Sequence, residues 1–195
     1  MLTVFPAIAG RAYFTPGSYL TKLTVADTAY AVPFVAPVDF SFDQIGVNVT
    51  TGATGANADV RLAIYHDAAG RPGKLYNDFG AITGMTTTGG KTISVTGNNG
   101  RPMLWAGHLY WLVSAWRGAG TTNPTVAALA TAVVPQAVAA GLGVASIAAL
   151  PSSAATAAVG LSGSYTYGAL PAEGTGITWS VVLNDAVPLV GLRAA

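Results

Sequence analysis

The stretch Asp59–Gly80, DVRLAIYHDAAGRPGKLYNDFG, predicts a β-hairpin. Apolar residues alternate along its first half, with Val60, Leu62 and Ile64 on one face, which is the period of two expected of a half-buried strand. Asp, Gly and Pro then follow within residues 67–73. These residue types favour a chain reversal, because they supply a side-chain acceptor, a positive φ and a fixed φ. The residues after this turn run back as the second strand.

The most apolar strand is predicted at Trp105–Arg117, WAGHLYWLVSAWR. Its alternation places Leu109, Trp111, Val113 and Ala115 on one face and Tyr110, Leu112, Ser114 and Trp116 on the other. Both faces are therefore apolar, which is typical of a strand at the centre of a sandwich, or of one that is covered by another subunit. We expect Leu62, Ile64, Trp111 and Val113 to be buried.

Two earlier runs of β-branched and aromatic residues predict further strands, at 29–34 and 38–50. In the second run Phe40 and Phe42 share a face, and the apolar alternation resumes out of phase at Ile45. This change of phase predicts a shift near Asp43 and Gln44. Pro33 in the first run marks an edge or a break, because proline cannot donate to a strand ladder.

Roughly eight to ten short strands, separated by Gly, Pro, Asn and Thr turns, follow from such patterns along the chain. They predict an all-β fold, an antiparallel β-sandwich of jelly-roll type, and 195 residues fit one domain. We expect an extended, aromatic N-terminal arm over residues 1–28 and the sandwich over 29–195. Residues 121–172 predict an uncharged Ala/Gly/Thr-rich crossover. Its weakly hydrophobic, proline-interrupted composition disfavours a membrane span.

The composition limits the partners and cofactors. Charged residues make up 9% of the chain, against about 25% in average soluble proteins, so the surface is largely neutral. Such a surface suits packing against other protein, or equally an extracellular β-domain rich in Thr and Ser. The net charge of +1 and the scattered Lys and Arg disfavour nucleic acid. Pro6 interrupts a short apolar start without a basic region, so a signal peptide is not expected.

No residue pattern in the chain predicts catalysis. Its eight carboxylates are spread singly through turns and strand ends, and no GxSxG-type motif occurs. His66 beside Asp67 could orient an imidazole, but no nucleophile can be assigned to it. Cysteine is absent and His108 is the only other histidine, so neither a thiolate metal site nor a His-rich zinc site is expected. We therefore predict a non-enzymatic protein without metal or cofactor.

The aromatic residues indicate a sugar-binding surface as one alternative to core packing. The group near the central strands comprises Tyr65, Tyr76, Trp105, Tyr110 and Trp116, and such rings can stack on a pyranose or fill a core. We predict a glycan contact near the loop ends of the strands that carry Tyr65 and Trp116. Asp67, Arg71 and Arg117 would hydrogen-bond the sugar hydroxyls there. The alternative is that Trp116 packs inside an intersubunit core and that Arg71 merely decorates a turn.

Several motifs carry a resemblance to a known class of proteins. They are IGVNVT, VRLAIYHDAAGRPGKL, LWAGHLYWLVSAW, YGALP and VPLVGLR, and with the Gly-rich Thr loop they span Phe40–Arg193. This combination resembles the β-sandwich appendage proteins of tailed bacteriophages and gene transfer particles, which occur as head spikes, head fibres or tail-fibre modules. The resemblance implies a structural virion component, often trimeric and often in contact with host glycans. It supplies no catalytic residues.

We therefore expect a virion protein, made in the cytoplasm of the bacterial host and attached to a head or a tail. Its partners would be other copies of itself, most simply in a homotrimer, together with other virion proteins and a host surface glycan. The contacts between copies are expected in the uncharged crossover and in the N-terminal arm, because a neutral and apolar stretch of that size suits an interface. The rival interpretation is a free carbohydrate-binding or glycan-degrading protein.

Overall fold

The computed structural model describes residues 7–15, 19–55, 58–96, 101–118, 120–130, 158–183 and 185–195. This part of the chain is all-β. Its strands are β1 (Ala12–Tyr13), β2 (Tyr19–Leu23), β3 (Thr28–Val35), β4 (Phe40–Thr51), β5 (Val60–Asp67), β6 (Pro72–Ile82), β7 (Gly89–Ser94), β8 (Met103–Leu104), β9 (Leu109–Trp116), β10 (Thr125–Ala130), β11 (Gly160–Ser164), β12 (Ser180–Val182), β13 (Ala186–Pro188) and β14 (Gly191–Ala194). A short 3-10 turn occupies Gly174–Gly176.

The strands form two antiparallel sheets. The first sheet has the order β1-β14-β4-β10-β13, with β2 paired to β10 and with β7 and β8 paired to β4. The second sheet has the order β12-β11-β3-β9-β5-β6. The all-β, antiparallel prediction is thus confirmed, and the two sheets are consistent with a β-sandwich. The jelly-roll connection stays a prediction.

The main core is built from apolar side chains of both sheets. The second sheet contributes Val60, Leu62, Ile64, Tyr110, Leu112 and Trp116, and the first contributes Phe42, Ile45, Val47, Leu129 and Leu192. Each of these residues is at most 5% exposed. Burial of apolar area at roughly 25 cal/mol per Å² makes this contact between the sheets the main source of stability.

The outer face of the second sheet is buried as well. It carries Ala63 and Tyr65 of β5 and Trp111, Val113 and Ala115 of β9, and it packs against Leu170, Ile177 and Trp179. We call residues 165–179, which lie over this face, the cover segment. The predicted burial of Leu62, Ile64, Trp111 and Val113 is confirmed. The expectation that β5 is half-buried is wrong, because the cover segment removes its second face from water.

Strand β4 contains the predicted change of phase. Phe42 and Ile45 both point into the core, and the pairing with β14 shifts register where Ala194 lies opposite Phe42 but Arg193 lies opposite Gln44. One extra residue, Asp43, produces this shift, as in a β-bulge. The Asp43 carboxylate accepts two hydrogen bonds from Arg193, at 2.7 and 2.8 Å.

Within the described residues, Pro33 lies where β3 pairs with one neighbour, β9. Pairing of β3 with β11 ends at Ala31, whereas pairing with β9 continues to Val35. The prediction that Pro33 marks an edge is confirmed for this end of the strand. The carbonyl oxygen of Pro33 accepts a hydrogen bond from the Thr15 hydroxyl at 2.6 Å.

The segment predicted as an N-terminal arm contributes two strands to the first sheet. Strand β1 pairs with β14, and β2 pairs with β10 over Tyr19–Leu23. Residues 131–157 of the predicted crossover lie outside the described residues. The division into arm, sandwich and crossover stays a prediction.

The ion pair at the β4 bulge predicts a pH-dependent stability. Arg193 holds the pKa of Asp43 below its usual range, chiefly by hydrogen bonding. A depressed folded-state pKa stabilises the fold above the unfolded-state pKa of about 3.9, and this contribution disappears as the pH falls through the folded value. Asp43→Asn should therefore lower the urea midpoint at neutral pH and converge with the wild-type protein in acid.

Arg193→Gln is the matched control. It removes the cation of the same ion pair, so it should lose the same pH-dependent contribution to stability. Urea titrations at several pH values between about 7 and about 3 measure the effect. A difference between Asp43→Asn and the wild-type protein that stays constant over this range would contradict the assignment.

Candidate functional site

Two of the side chains predicted to contact a glycan near the hairpin turn are hydrogen-bonded to the cover segment instead. Tyr65 is fully buried, and its hydroxyl donates to the Pro171 carbonyl oxygen at 2.7 Å. Burial raises the pKa of Tyr65 above its ordinary value. Arg71 donates to the Trp179 carbonyl oxygen at 2.8 Å. These two side chains therefore fasten the cover segment to the sheet.

Asp67 closes the hairpin turn and fixes the indole of the central strand. Its carboxylate accepts from the Gly70 backbone N–H at 3.1 Å and from Trp111 Nε1 at 2.9 Å. The turn also contains Ala69 and Gly70 at positive φ, 53° and 79°. Asp67 is thus a structural acceptor at the place where the sequence predicted a turn.

Trp116 and Arg117 lie at the other end of the strands. Trp116 is 1% exposed, and its indole donates to the Ser114 hydroxyl at 3.1 Å. Arg117 pairs with Asp59 at 3.3 Å.

The register separates the two halves of the predicted glycan site. Val60 lies opposite Trp116, and Tyr65 lies opposite Trp111. The two rings are thus about five residues, or roughly 17 Å, apart along the strands. They also point to opposite faces of the sheet, since Tyr65 belongs to the outer cluster and Trp116 to the main core. The five predicted residues do not form one surface, although glycan binding itself stays a prediction.

A different group of rings lies at the hairpin end of the sandwich. It comprises His66, Tyr76, Trp105, His108 and Tyr110, which we call the aromatic end. The ring of His66 packs edge-on against Tyr76, with centroids 5.2 Å apart, and against Tyr110 at 5.7 Å. His108 lies on Tyr110 at 6.5 Å. Both histidines of the chain therefore border one buried tyrosine.

Trp105 is the exposed ring of this group. Its side chain is 54% exposed, whereas the other three tryptophans, at 111, 116 and 179, are at most 6% exposed. It occupies a turn before β9 rather than the strand itself, so the predicted strand Trp105–Arg117 begins four residues later, at Leu109. Gly107, with a φ of 74°, allows this turn.

Backbone hydrogen bonds hold the Trp105 turn in place. The N–H of Trp105 donates to the Tyr110 hydroxyl at 3.1 Å, and the N–H of Ala106 donates to the Asp39 carboxylate at 2.6 Å. The N–H of Gly107 donates to the Ala36 carbonyl oxygen at 2.9 Å. The exposed indole is therefore carried on a fixed backbone.

A cleft of about 530 Å³ lies beside this turn. Asp39 and Met103 border it, together with Val38, Phe40 and Ala194. Met103 also exchanges two hydrogen bonds with the Tyr76 hydroxyl, at 2.9 and 3.0 Å. Burial raises the pKa of Tyr76 above its ordinary value. The cleft and the aromatic end thus share one edge, at Asp39 and Met103.

A second concavity, of about 420 Å³, lies on the outer face of the first sheet. Gly46, Ala127 and Gly191 form a floor of small residues. Phe14 and Tyr19 form one wall, with their rings edge-to-face at 5.6 Å. This groove is apolar, and no group in it points to a particular ligand.

The carboxylates of the chain are used in local contacts. Besides Asp39, Asp43 and Asp67, Asp78 pairs with Arg61 at 2.8 Å, Asp59 with Arg117, and Asp185 with Lys22. Among the described residues, no three His, Asp or Glu side chains are grouped closely enough to hold a metal ion. The described part of the chain also contains no helix of the length and apolarity that a bilayer crossing requires.

Comparison with known proteins identifies no family. No protein-family model matches the chain, and no curated protein matches it in sequence. The resemblance to phage appendage proteins therefore depends on the motifs alone, and the function has to be argued from the geometry.

Sequence reasoning included Trp105 among the aromatic candidates but selected Trp116 as the binding ring. The signal that separates them is the Ala-Gly pair after Trp105, because a glycine two residues after an aromatic indicates a turn rather than a strand. A tryptophan before such a turn lies at the rim of the sheet. Trp116, by contrast, continues the alternation of the buried strand.

The exposure of Trp105 predicts the fluorescence behaviour of the protein. Acrylamide should quench a distinct part of the tryptophan emission, and Trp105→Phe should remove most of that part because the other indoles are buried. Trp116→Phe is the control, since it should leave the quenchable part intact. Equal losses in the two variants would contradict this assignment.

Proposed function

We propose that the chain is a non-enzymatic structural protein of a tailed phage or phage-like particle, incorporated as a homotrimer into a head or tail appendage. Other virion proteins would be its neighbours, and contact with host surface glycans would be a secondary role. The observation that carries this proposal is the apolar edge that β2 forms within the described residues. The motifs between Phe40 and Arg193 add the resemblance to virion appendages.

Strand β2 exposes large apolar side chains at the border of the first sheet. Leu20 is 57% exposed and Leu23 is 54% exposed, and Val25 just beyond the strand is 50% exposed. An apolar strip at a sheet border is unfavourable in water and favours contact with another chain.

The same strand lacks the usual protection of an edge. Its pairing with β10 is continuous from Tyr19 to Leu23, with neither a bulge nor a proline. Its only charged side chain, Lys22, is largely buried in an ion pair with Asp185. Edge strands of monomers usually carry outward charges, prolines or bulges that prevent further pairing. The β2 edge therefore favours assembly.

The β6 edge of the second sheet is covered by another part of the same chain, the cover segment. The N–H of Leu75 on β6 donates to the Ala172 carbonyl oxygen at 2.8 Å. Lys74 and Glu173 form an isolated antiparallel β-bridge through their backbones. Gly174 approaches Pro72 so closely that a Cβ would clash with the proline carbonyl oxygen. Within the described residues β2 pairs with β10 alone, so a second copy of the chain is the natural cover for it.

The use of the carboxylates also supports a structural role. Asp43, Asp59, Asp78 and Asp185 each pair with a cation on another strand or segment of the fold. Asp67 and Asp39 each accept from a backbone N–H of a turn. These contacts hold strands and turns in place, which is the use expected in a scaffold.

Composition of the particle tests the virion assignment. Phage-like particles induced from the producing strain should contain the protein after density-gradient purification, as measured by mass spectrometry of the particle band. A matched strain that lacks the gene gives the control. Presence of the protein only in the particle-free fraction would overturn the proposal and favour the free carbohydrate-binding alternative.

The mass of the isolated protein tests the role of the β2 edge. Light scattering should give about 59 kDa, three times the 19.6 kDa of the chain, and the double variant Leu20→Lys, Leu23→Lys should give the monomer mass with unchanged far-UV circular dichroism. Val35→Lys is the control, because Val35 is 56% exposed but lies on β3 of the second sheet and not on the β2 edge of the first. A wild-type monomer at micromolar concentration, or a double variant that keeps the trimer mass, would contradict the assignment.

A further inference from the structure

We propose that the aromatic end, with the adjoining cleft, binds a neutral pyranose carbohydrate, and that Trp105 stacks on the apolar face of the sugar ring. This inference rests on the proposed surface role of the protein and gives its glycan contact a location. It locates the contact where Asp39 and Met103 join the aromatic end to the cleft, and not at the divided set around Tyr65 and Trp116.

The exposure of Trp105 is the first support. Three of the four tryptophans are used in the two cores, and the fourth leaves more than half of its surface in water. Val35 and Met103, on neighbouring segments, are also exposed, at 56% and 39%. An exposed indole among other exposed apolar groups marks a contact surface more strongly than an isolated apolar residue does.

The fixed backbone of the Trp105 turn is the second support. The turn bonds to Tyr110 on β9 and to Asp39 and Ala36 of the β3–β4 connection, and it closes on itself through the N–H of His108 and the carbonyl oxygen of Trp105 at 3.2 Å. A ring carried on an ordered backbone loses less conformational freedom when a ligand stacks on it than a ring on a mobile loop. Stacking on Trp105 therefore requires no rearrangement of the fold.

The polar groups around the ring are the third support. Asp39 uses one carboxylate oxygen for Ala106, and its second oxygen can accept a hydroxyl hydrogen bond. The exposed imidazoles of His66 and His108 contact aromatic rings, and among the described residues neither one makes a side-chain hydrogen bond. These groups can pair with the hydroxyls at the rim of a sugar, whose faces carry the C–H bonds.

The shape and charge of the surface define the class of ligand. The cleft of about 530 Å³ lies within the range of roughly 300–1,000 Å³ that is usual for small-molecule sites. Among the described side chains of the aromatic end and of the cleft lining, Asp39 carries the carboxylate and none is Lys or Arg. Phosphate-rich or sulfated ligands are therefore disfavoured, and a neutral sugar with one apolar face and several hydroxyls fits best.

Binding to defined oligosaccharides tests the inference. The purified wild-type oligomer would be applied to an array of hexose and N-acetylhexosamine oligosaccharides that includes maltoheptaose and chitohexaose, and hits would be titrated by tryptophan fluorescence and calorimetry. Trp105→Ala should weaken binding about tenfold or more, whereas Trp105→Phe should retain part of it, because a phenyl ring still stacks. Asp39→Asn should weaken binding less, since its amide oxygen can still accept from Ala106.

Val181→Ala is the matched control, because Val181 is an exposed apolar side chain on β12, outside the aromatic end and the cleft. An equal loss of sugar affinity in Val181→Ala and Trp105→Ala would overturn the assignment. Absence of binding to every sugar on the array, or an unchanged affinity in Trp105→Ala, would also overturn it.

The oligomeric mass and the particle content of Trp105→Ala separate this inference from the proposed function. The variant should assemble and enter particles as the wild-type protein does. Loss of sugar binding with normal assembly is the expected result. Assembly that fails in Trp105→Ala would show that the ring belongs to an interface between copies, which overturns the sugar site but not the structural role.

Discussion

The apolar character of β9 on both faces is the constraint on which the rest of the structure depends. Tyr110, Leu112 and Trp116 need the first sheet opposite them, whereas Trp111 and Val113 need a second cover on the other side. An ordinary two-layer sandwich leaves the outer face of each sheet in water. This chain therefore adds the cover segment, residues 165–179, and the central strands β3, β5 and β9 are buried on both faces.

That cover is held by the polar side chains that first suggested a binding site. Tyr65 and Arg71 donate to carbonyl oxygens of the cover segment, and the Trp179 indole donates to the Gly174 carbonyl oxygen at 2.9 Å. A buried donor without a partner would cost about 1–3 kcal/mol. The outer face of the hairpin, which carries Tyr65 and Arg71, is thus committed to the fold.

Local patterns predicted much of the fold, because alternation and turn chemistry act within a few residues. The hairpin, both faces of β9 and the phase shift at Asp43 follow from such patterns. The cover segment did not, since its contacts join distant parts of the chain, 106 residues apart for Tyr65 and Pro171, and leave no periodic signal. The residue types of the predicted glycan contact could be read from the sequence but their placement could not, because only the register of β5 and β9 shows that Tyr65 and Trp116 lie far apart on opposite faces.

The large apolar side chains that remain exposed after both cores are packed indicate where partners could bind. With 9% charged residues, most carboxylates and several cations are used to join strands, so the surface is not built from solvated charge. Large apolar groups in water, such as Leu20 on β2 and Trp105 on its turn, are then costly exceptions in a chain that buries its other tryptophans. Leu20 lies on the β2 edge of the first sheet, and Trp105 lies on the turn before β9. Each position suits a different kind of partner. A straight strand edge suits another protein chain, whereas a single fixed indole beside a small cleft suits a ring-shaped ligand.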